Sequence, residues 1–387
     1  MNVLMFVSNP FTSDPRVYNE ATSLIQAGHE VTVVACDSER EYPPSDTWDG
    51  IEIIRLAAPL PTRHGFGGPL WNGFGLLSWQ WQAYRQALKL NEERRIDVVH
   101  CHDLDTLAIG VRLERKLSMP LVYDAHEIYG YAVTRTIPRW TAGIFFWLEK
   151  QLVKHVDRII NVCEPQRRYF DNITDKPISI IMNCKTVESP KYEPPASRGD
   201  FTILYIGILH QGRAVSMLVD AVRELAGVRC IIGGFGLPTY VRTLKEKCDT
   251  VANADFVSRV PFDQVMPLTK KADAIFFMVN PQDRNNRLAL ANKQFEAMVC
   301  GRPIICSKGT YSGELTEQEQ VGLTVEYDRE ALKDAIIKLR DNPELREELG
   351  RNALHAAITK YNWQNEEEKL TKLYGSIKEG CVNKHDI

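Results

Sequence analysis

The sequence lacks the features that mark membrane-spanning, fibrous and disulfide-rich proteins. Its apolar runs, such as residues 143–148 and 274–279, are far shorter than the ~20 residues that a membrane-spanning helix needs. Only 24 glycines, 20 prolines and 9 cysteines are spread over 387 residues, which excludes collagen, disordered tails and small disulfide-stabilised domains. The cysteines form no C-x-x-C pair, so we expect buried free thiols rather than a zinc site.

The chain also lacks an excess of either charge. Its formal net charge is -3, with 47 Lys and Arg against 50 Asp and Glu, so we do not expect nucleic acid as a partner. The first ten residues, MNVLMFVSNP, carry no basic residue before the apolar run, and we expect a first strand there rather than a signal peptide. We therefore expect a cytoplasmic protein, with peripheral contact at the inner face of a membrane as a further option.

A repeating pattern runs through the first half of the chain. Short continuous apolar runs, typical of strands buried on both faces, alternate with segments whose apolar residues recur at helical spacing. The predicted strands are residues 2–8, 31–36, 51–56, 96–101, 121–125, 158–162 and 178–182. The predicted helices are residues 15–27, 75–93, 105–117, 137–155 and 164–172. This alternation predicts an α/β domain with a mainly parallel sheet.

A polar segment with three prolines, residues 185–200, interrupts the pattern, which then restarts. The second set of predicted strands is 201–206, 228–232, 254–257, 274–278, 303–306 and 322–325, and the helices are 213–225, 238–249, 290–299, 329–340 and 343–358. We therefore predict two doubly wound Rossmann-like domains facing a cleft, residues 1–188 and 189–361. A last helix, residues 362–380, lies beyond the final repeat. This helix belongs either with the second domain or, by packing on it, with the first.

Polar residues follow the predicted strands of the first domain, at the sheet edge where ligands of parallel sheets bind. His126 comes directly after a strand, and it is either a satisfied core histidine or a functional one; its neighbour Glu127 favours function. Asp103 and Asp105 resemble a metal-binding DxD motif, but a helix cap is the interpretation we favour, so no metal is expected. The candidate residues of this domain are Asp14, Arg16, His102, Asp103, His126 and Glu127.

The second domain carries residues suited to anion binding. Gly207 and Arg213 lie between a strand and a helix, where N–H groups and an arginine attract phosphate; a glycine turn with a solvated arginine is the alternative. The GGFG stretch at 233–236 is not the GxGxxG pattern of nicotinamide enzymes. Glu296 is placed either to hold a ribose diol or to interact with a helix dipole. The candidates here are Gly207, Arg213, Gly234, Gly236, Asn292, Lys293 and Glu296.

At these residues the sequence resembles the retaining glycosyltransferases of family GT4, which have the GT-B fold. In the first domain the resemblance is carried by SDPRVYNEATSLIQAGHEVTVVA (13–35), VVHCHDLDTL (98–107) and LVYDAHE (121–127). In the second it is carried by LYIGILHQGRAVSMLVDAV (204–222) and NKQFEAMVCGRPII (292–305). The resemblance covers nearly the whole chain.

The resemblance implies roles for individual residues. His126 looks like the family's histidine near the donor sugar and the acceptor, and Arg213 occupies the position of a cation that binds the donor diphosphate. Glu296 matches the second glutamate of the family's E-x7-E motif, which is expected to hold the ribose. Gly207 and the glycines at 234 and 236 match turns near the phosphates and the base. Asp14 and Arg16 lie in the first loop, on the acceptor side.

Two positions depart from the family pattern. The first glutamate of E-x7-E is Leu288 here, and an arginine that often follows the glycine of the second-domain first strand is Ile208. Arg287, Arg284 or Arg16 are hypothetical substitutes for the missing cation. Leu288 and Ile208 also favour an alternative, in which the chain is a weak or inactive nucleotide-sugar binding subunit of a glycosyltransferase complex.

The reaction implied by the resemblance moves a hexosyl group from a UDP- or GDP-sugar to a hydroxyl of a glycan or lipid-linked acceptor, with the anomeric configuration kept and without a metal. Surface polysaccharide or glycolipid biosynthesis is the expected setting. Residues 64–84 hold three of the seven tryptophans, and residues 141–156 add an apolar-aromatic helix with basic residues at its end. Trp with Lys or Arg is typical of membrane interfaces, whereas packing in the core is the alternative interpretation.

Overall fold

The computed structural model describes residues 1–12, 14–57, 69–135, 141–195 and 199–385. The chain divides into two compact units, and each is described by itself. Unit 1 comprises Met1–Met182 together with the segment from Glu366 onward, and unit 2 comprises Asn183–Asn365. Residues 183–188, assigned to the first domain from the sequence, thus lie in unit 2. So do residues 362–365, the start of the predicted last helix.

Unit 1 contains an eight-stranded sheet in the order β3-β4-β2-β1-β5-β6-β7-β8. All its described strand pairs are parallel except β3 with β4. The elements are β1 (Asn2–Val7), α1 (Pro15–Gln26), β2 (Glu30–Cys36), β3 (Ser45–Trp48), β4 (Ile51–Leu56), α2 (Pro69–Glu93), β5 (Val98–His102), α3 (Leu104–Leu117), β6 (Leu121–Ala125), α4 (Tyr129–Ala132), α5 (Ala142–Leu152), β7 (Arg158–Asn161), α6 (Glu164–Asp171) and β8 (Ile178–Ile180).

The order of these strands creates a topological switch point. From β1 the chain moves outward to β2 and β4, then returns to place β5 on the other side of β1. The loops that follow β1 and β5 therefore separate at the carboxyl edge of the sheet and leave a crevice there. The start of α1 is fixed beside it, because Asp14 accepts a hydrogen bond from the Val17 amide and Pro15 occupies the first helical position.

Unit 2 contains a six-stranded, all-parallel sheet in the order β11-β10-β9-β12-β13-β14, with its own switch point between β9 and β12. The elements are β9 (Phe201–Leu209), α7 (Val215–Arg223), β10 (Val228–Gly236), α8 (Pro238–Asp249), β11 (Ala254–Val257), α9 (Phe262–Lys271), β12 (Ala274–Phe277), α10 (Arg284–Leu288), α11 (Asn292–Val299), β13 (Ile304–Ser307), α12 (Tyr311–Gln318), β14 (Gly322–Val325), α13 (Arg329–Asp341) and α14 (Pro343–Thr359).

The last helix, α15 (Trp363–His385), begins in unit 2 and continues into unit 1. Its buried face carries Leu370, Leu373, Tyr374 and Ile377, a spacing of three and four residues that forms one helical stripe. Glu366, fully buried, accepts a hydrogen bond of 2.9 Å from the Met182 amide. The C-terminal helix therefore completes unit 1.

The GGFG stretch is part of a strand, which corrects its interpretation as a turn. Strand β9 continues past Gly207, and β10 runs through Gly236, so Gly234 pairs directly with Gly207. A Cβ atom on Gly234, whose φ is 147°, would lie 1.8 Å from the Gly207 carbonyl oxygen. The glycines let the two backbones approach where a side chain would push them apart.

We predict that Gly234→Ala destabilises unit 2 by more than about 3 kcal/mol, because β9 and β10 must separate to admit the methyl group. Urea unfolding measures the change. Gly227→Ala is the matched control: its φ of 69° is also positive, but its Cβ would meet nothing within 4 Å. The control should lose only about 1–2 kcal/mol, and equal losses in the two variants would contradict the close approach.

Candidate active site

Asp124 organises a charged cluster at the carboxyl edge of the unit 1 sheet. It lies on β6 and is fully buried. Its Oδ2 accepts from Arg16 Nε at 2.7 Å, His126 Nε2 at 2.8 Å and His102 Nδ1 at 3.0 Å, and its Oδ1 accepts from Arg16 Nη2 at 2.5 Å. Burial acts to raise the pKa of Asp124, but the Arg16 and His126 cations hold it well below its usual range.

His126 lies between two carboxylates. Its Nε2 meets Asp124, and its Nδ1 is 3.2 Å from Asp103 Oδ2. Burial lowers the pKa of His126, but Asp103 and Asp124 outweigh that effect and raise it to about 10. With 22% of its side chain exposed, the ring is an accessible imidazolium at neutral pH. It can stabilise negative charge through its own charge, but both ring N–H groups face carboxylates, so it is not a general base.

Asp103 adopts a backbone conformation, φ 62° and ψ 166°, that is rare for any residue with a side chain. Its amide donates to the Asp124 carbonyl at 2.8 Å, and its carboxylate accepts from the His126 amide at 3.1 Å. These bonds tie the ends of β5 and β6 together and hold the strained turn in place. Asp103 is the N-cap residue of α3 and Asp105 lies in the first turn, as predicted, but the Asp103 side chain makes no capping hydrogen bond.

Arg16 and His102 are buried, which corrects the expectation that they meet the acceptor. Arg16 is 5% exposed; besides Asp124, it donates to the Ile181 carbonyl at 2.9 Å and lies 3.2 Å from Glu20. His102 is 3% exposed. Of the residues expected on the acceptor side, only Asp14 and Asp103 are half-buried and reach the surface.

Glu127 is also half-buried, beside His126. The structure thus brings His126, Asp103, His102 and Arg16 into one cluster, as the strand-end positions predicted.

Glu20, His100, His102 and Asp124 could in principle hold a metal, because one ligand-type atom from each lies within 4.8 Å of the others. Their charges argue against it. Arg16 already donates to both oxygens of Asp124 and lies 3.2 Å from one oxygen of Glu20, and the Asp124 Oδ2 atom accepts from three donors. A divalent cation would add buried positive charge beside the Arg16 guanidinium. We interpret the group as a balanced charge network.

A second polar cluster lies at the carboxyl edge of the unit 2 sheet, around Gly207. The Lys293 ammonium on α11 lies 4.8 Å from the centre of the Tyr205 ring and 5.9 Å from that of Phe277, and the Arg213 guanidinium lies 5.5 Å from the Phe277 ring. A Cβ on Gly207 would lie 2.2 Å from Lys293 Nζ. The φ of 153° at Gly207 favours glycine, and a side chain at 207 would displace the lysine that crosses over it.

Two cations in one half-buried place create a site for an anion. Burial lowers the pKa of Lys293 to about 8, and the neighbouring Arg213 charge contributes in the same direction. An anion held by both groups would relieve this repulsion, and a diphosphate offers the two negative groups required. Arg213 itself ends a short 3-10 turn, Gln211–Arg213, just before α7.

Lys293 is a second cation beside Gly207, whereas the sequence has Ile208 where the family often has an arginine. Of the suggested substitutes, Arg16 is buried in unit 1, and Arg284 and Arg287 are exposed on α10. Ile208 itself is 51% exposed.

Glu296 and Lys185 extend the same cluster. Glu296, half-buried one turn after Lys293, lies 3.6 Å from the Lys185 ammonium. Asn292, at the first position of α11, is exposed. Lys185, which lies in the polar segment between the predicted domains, was not among the predicted site residues. Its backbone bridges to Asn362 and accepts from the Trp363 amide, so the segment is held rather than free.

Comparison with known proteins places these features in a family. Residues 13–178 match the glycosyl transferase 4-like domain, and residues 200–342 match the glycosyl transferases group 1 domain. An uncharacterized glycosyltransferase of Methanocaldococcus jannaschii, MJ1178, is 24% identical over 304 residues, covering 78% of this chain and 81% of that protein. A second from the same organism, MJ1607, is 21% identical over 378 residues, covering 92% and 91%.

Solved structures show the same fold. Sucrose-phosphate synthase from Thermosynechococcus elongatus superposes with a TM-score of 0.80 at 16% identity, over 98% of this chain and all of that one. Anabaena HepE in complex with UDP-glucose gives 0.73 at 14% identity, over 97% of this chain and all of that one. The two parallel-sheet units are those of the GT-B fold, and the chain belongs to the GT4-like glycosyltransferases.

We predict that Asp124→Asn lowers the free energy of unfolding by about 3–5 kcal/mol at neutral pH, because it leaves the buried Arg16 without its carboxylate. The difference should be full above the ordinary aspartate pKa of about 3.9 and should shrink as the pH falls further, since the native pKa of Asp124 is depressed. Denaturant unfolding at several pH values tests this.

Asp97→Asn is the control for this prediction. Its carboxylate accepts one backbone hydrogen bond near the surface, so it should cost under about 1 kcal/mol. If Asp124→Asn also lowers the free energy of unfolding by less than about 1 kcal/mol, Asp124 is not the centre of a stabilising charge network.

Proposed function

We propose that this glycosyltransferase moves a hexosyl group from a nucleotide sugar, with UDP-sugars the first choice, to a hydroxyl of a glycan or lipid-linked acceptor, with retention of configuration. The setting we propose is surface polysaccharide or glycolipid biosynthesis in the cytoplasm. The observation that carries the donor proposal is the pair of cations, Arg213 and Lys293, placed over Phe277 and beside Gly207. HepE, a neighbour in fold, has been crystallised with UDP and with UDP-glucose, which favours UDP.

The donor chemistry we propose needs no metal. When the bond between sugar and diphosphate breaks, negative charge grows on the leaving group. Arg213 and Lys293 are already positioned to stabilise it, so little reorganisation is required. Glu296, held near Lys185, is our candidate for the ribose hydroxyls, with Asn292, Gly234 and Gly236 assigned to the nucleotide by resemblance.

His126 is our candidate for the residue that meets the transferred sugar. Its imidazolium would act on the sugar through its positive charge and would not accept the acceptor proton, since both ring N–H groups already face carboxylates. Asp103 and Asp124 are each committed to His126, so we assign neither as a covalent nucleophile. We propose that attack occurs on the same face as the departing diphosphate, whose oxygen takes the proton. Asp14, Asp103 and Glu127 are candidates for orienting the acceptor.

Exposed apolar side chains on unit 1 support a lipid-linked acceptor. On α2, Phe74, Leu77 and Trp81 are each more than half exposed, and on α5 so are Ile144 and Trp147. Both groups lie toward the start of their helices, and Lys150 and Lys154 are exposed near the end of α5.

Core packing accounts for other aromatic residues of these segments, since Trp79 is fully buried. The stretch 58–68 lies outside the described residues, so this part of the predicted interfacial segment 64–84 stays a prediction. Among helices of the described residues, none is long and apolar enough to cross a bilayer.

The test of the donor proposal is hydrolysis and binding of UDP-, GDP-, ADP- and dTDP-sugars in the presence of EDTA. We expect slow release of one nucleotide that EDTA does not affect, with kcat/KM reduced about 100-fold or more by Arg213→Ala and reduced by Glu296→Ala. Arg223→Ala, at the far end of α7 and hydrogen-bonded only at the surface to Thr250, should stay within about twofold of wild type.

Two other outcomes would contradict the proposal. Binding of one nucleotide sugar without turnover, even with membrane lipid extract as acceptor source, would identify a binding subunit, the function that Leu288 favours. If no nucleotide binds, the assignment of the Gly207 cluster is wrong.

We predict that UDP binding weakens as the pH rises through about 8. In the free protein Lys293 loses its proton near that pH, whereas a bound diphosphate would favour the charged form, so the complex holds more protons. Affinity should fall by up to about tenfold per pH unit above 8, and calorimetry in two buffers should show proton uptake on binding. UDP itself does not titrate here, because its phosphate pKa is about 6.

Lys293→Arg is the matched control for this effect. It keeps a cation that does not titrate, so its UDP affinity should vary little between pH 7 and 9. The same slope in Lys293→Arg as in wild type would show that another group is responsible.

A further inference from the structure

Behind His126 lies a set of buried polar side chains that the proposed chemistry does not use directly. Glu20, His100 and Tyr374 are all fully buried. Both Glu20 carboxylate oxygens and His100 Nε2 lack a hydrogen-bond partner of good geometry. Buried polar groups are normally retained only when they satisfy one another or serve the site nearby.

One route leads from α15 to His126 through two stacked rings. The Tyr374 hydroxyl lies 2.8 Å from His100 Nδ1. The His100 ring stacks on the His102 ring, with centroids 4.4 Å apart and planes inclined by 18°. His102 Nδ1 then meets the same Asp124 oxygen that accepts from His126. Tyr374 thus fixes the orientation of the first ring, and stacking passes this constraint to the second.

A second route reaches the same carboxylate from α1. His100 Nε2 is 3.6 Å from Glu20 Oε2, and Glu20 Oε1 is 3.2 Å from Arg16 Nη2. Arg16 in turn makes a two-point contact with Asp124. Both routes therefore begin at the ring of His100 and end at Asp124, which leaves His100 and Asp124 little freedom to move independently.

We propose that Tyr374 is a positioning residue for His126, acting from the C-terminal helix through His100 and Asp124. The inference rests on the proposed function for its kinetic consequence, because His126 is the group we assign to the transferred sugar. A charged group that moves from its position stabilises the charge of a transition state less well. The hydroxyl of a tyrosine more than 240 residues from His126 in the sequence would thus control the rate without touching substrate.

The test uses Tyr374→Phe in the full chain, which removes one oxygen and keeps the packing. Tyr169→Phe is the matched control, because Tyr169 in the same unit also loses a hydroxyl bonded at 2.6 Å, in its case to Glu149. We expect Tyr374→Phe to lower kcat for UDP-sugar hydrolysis about 3- to 10-fold with the donor KM little changed, and Tyr169→Phe to leave kcat within about twofold.

A double-mutant cycle separates positioning from a general loss of stability. If Tyr374 acts through His126, adding Tyr374→Phe to His126→Gln should change kcat by less than about twofold. An undiminished effect in the His126→Gln background would overturn the proposal.

A readout independent of turnover keeps this inference distinct from the proposed function. The carbon–proton NMR signal of the His126 ring, assigned by its loss in His126→Gln, should shift in position and titration in Tyr374→Phe but not in Tyr169→Phe. If the wild-type protein hydrolyses no nucleotide sugar, the proposed function fails. The NMR comparison still shows whether Tyr374 affects His126. Unchanged His126 signals in Tyr374→Phe would overturn the positioning role.

Discussion

The candidate site of unit 1 depends on the hydrogen bonds and ion pairs of the Asp124 carboxylate. A fully buried charge is costly unless opposite charges and hydrogen bonds surround it, and here Arg16, His102 and His126 do so. The same bonds join α1 to the ends of β5 and β6. The chemistry of the site follows: His126 is an imidazolium because of this carboxylate, and the turn at Asp103 is strained because its side chain must reach the same ring.

The second unit solves the opposite electrostatic problem. Its candidate site contains two cations, Arg213 and Lys293. Binding an anion there requires space for both side chains beside a stretch of backbone that the anion can approach. Gly207 supplies the room, since Lys293 crosses where a side chain would stand, and Gly234 lets β10 lie close to β9 at that point. Aromatic rings beneath the cations, Tyr205 and Phe277, shield them from water on one side and stabilise them on their faces.

Much of the fold was predictable from the sequence, because buried parallel strands are continuous apolar runs; β4 and β6 have the predicted bounds. Two of the missed elements have a different physical origin. Strand β3 is an exposed antiparallel edge without an apolar run, and α9 contains Pro267. In the site, His126 was predicted from its place after a strand. Asp124 was missed because it sits inside an apolar strand, and Glu20 and Tyr374 because only folding brings them near.

The route of the chain through α15 has a consequence for how the protein is made. Unit 2 is continuous in sequence, from Asn183 to Asn365, so all of it is available once that stretch has left the ribosome. Unit 1 begins earlier in the sequence, yet its core lacks Leu370, Tyr374 and Ile377 until α15 is synthesised. The usual order of folding from the N-terminus is therefore reversed at completion: the later unit can finish before the earlier one closes.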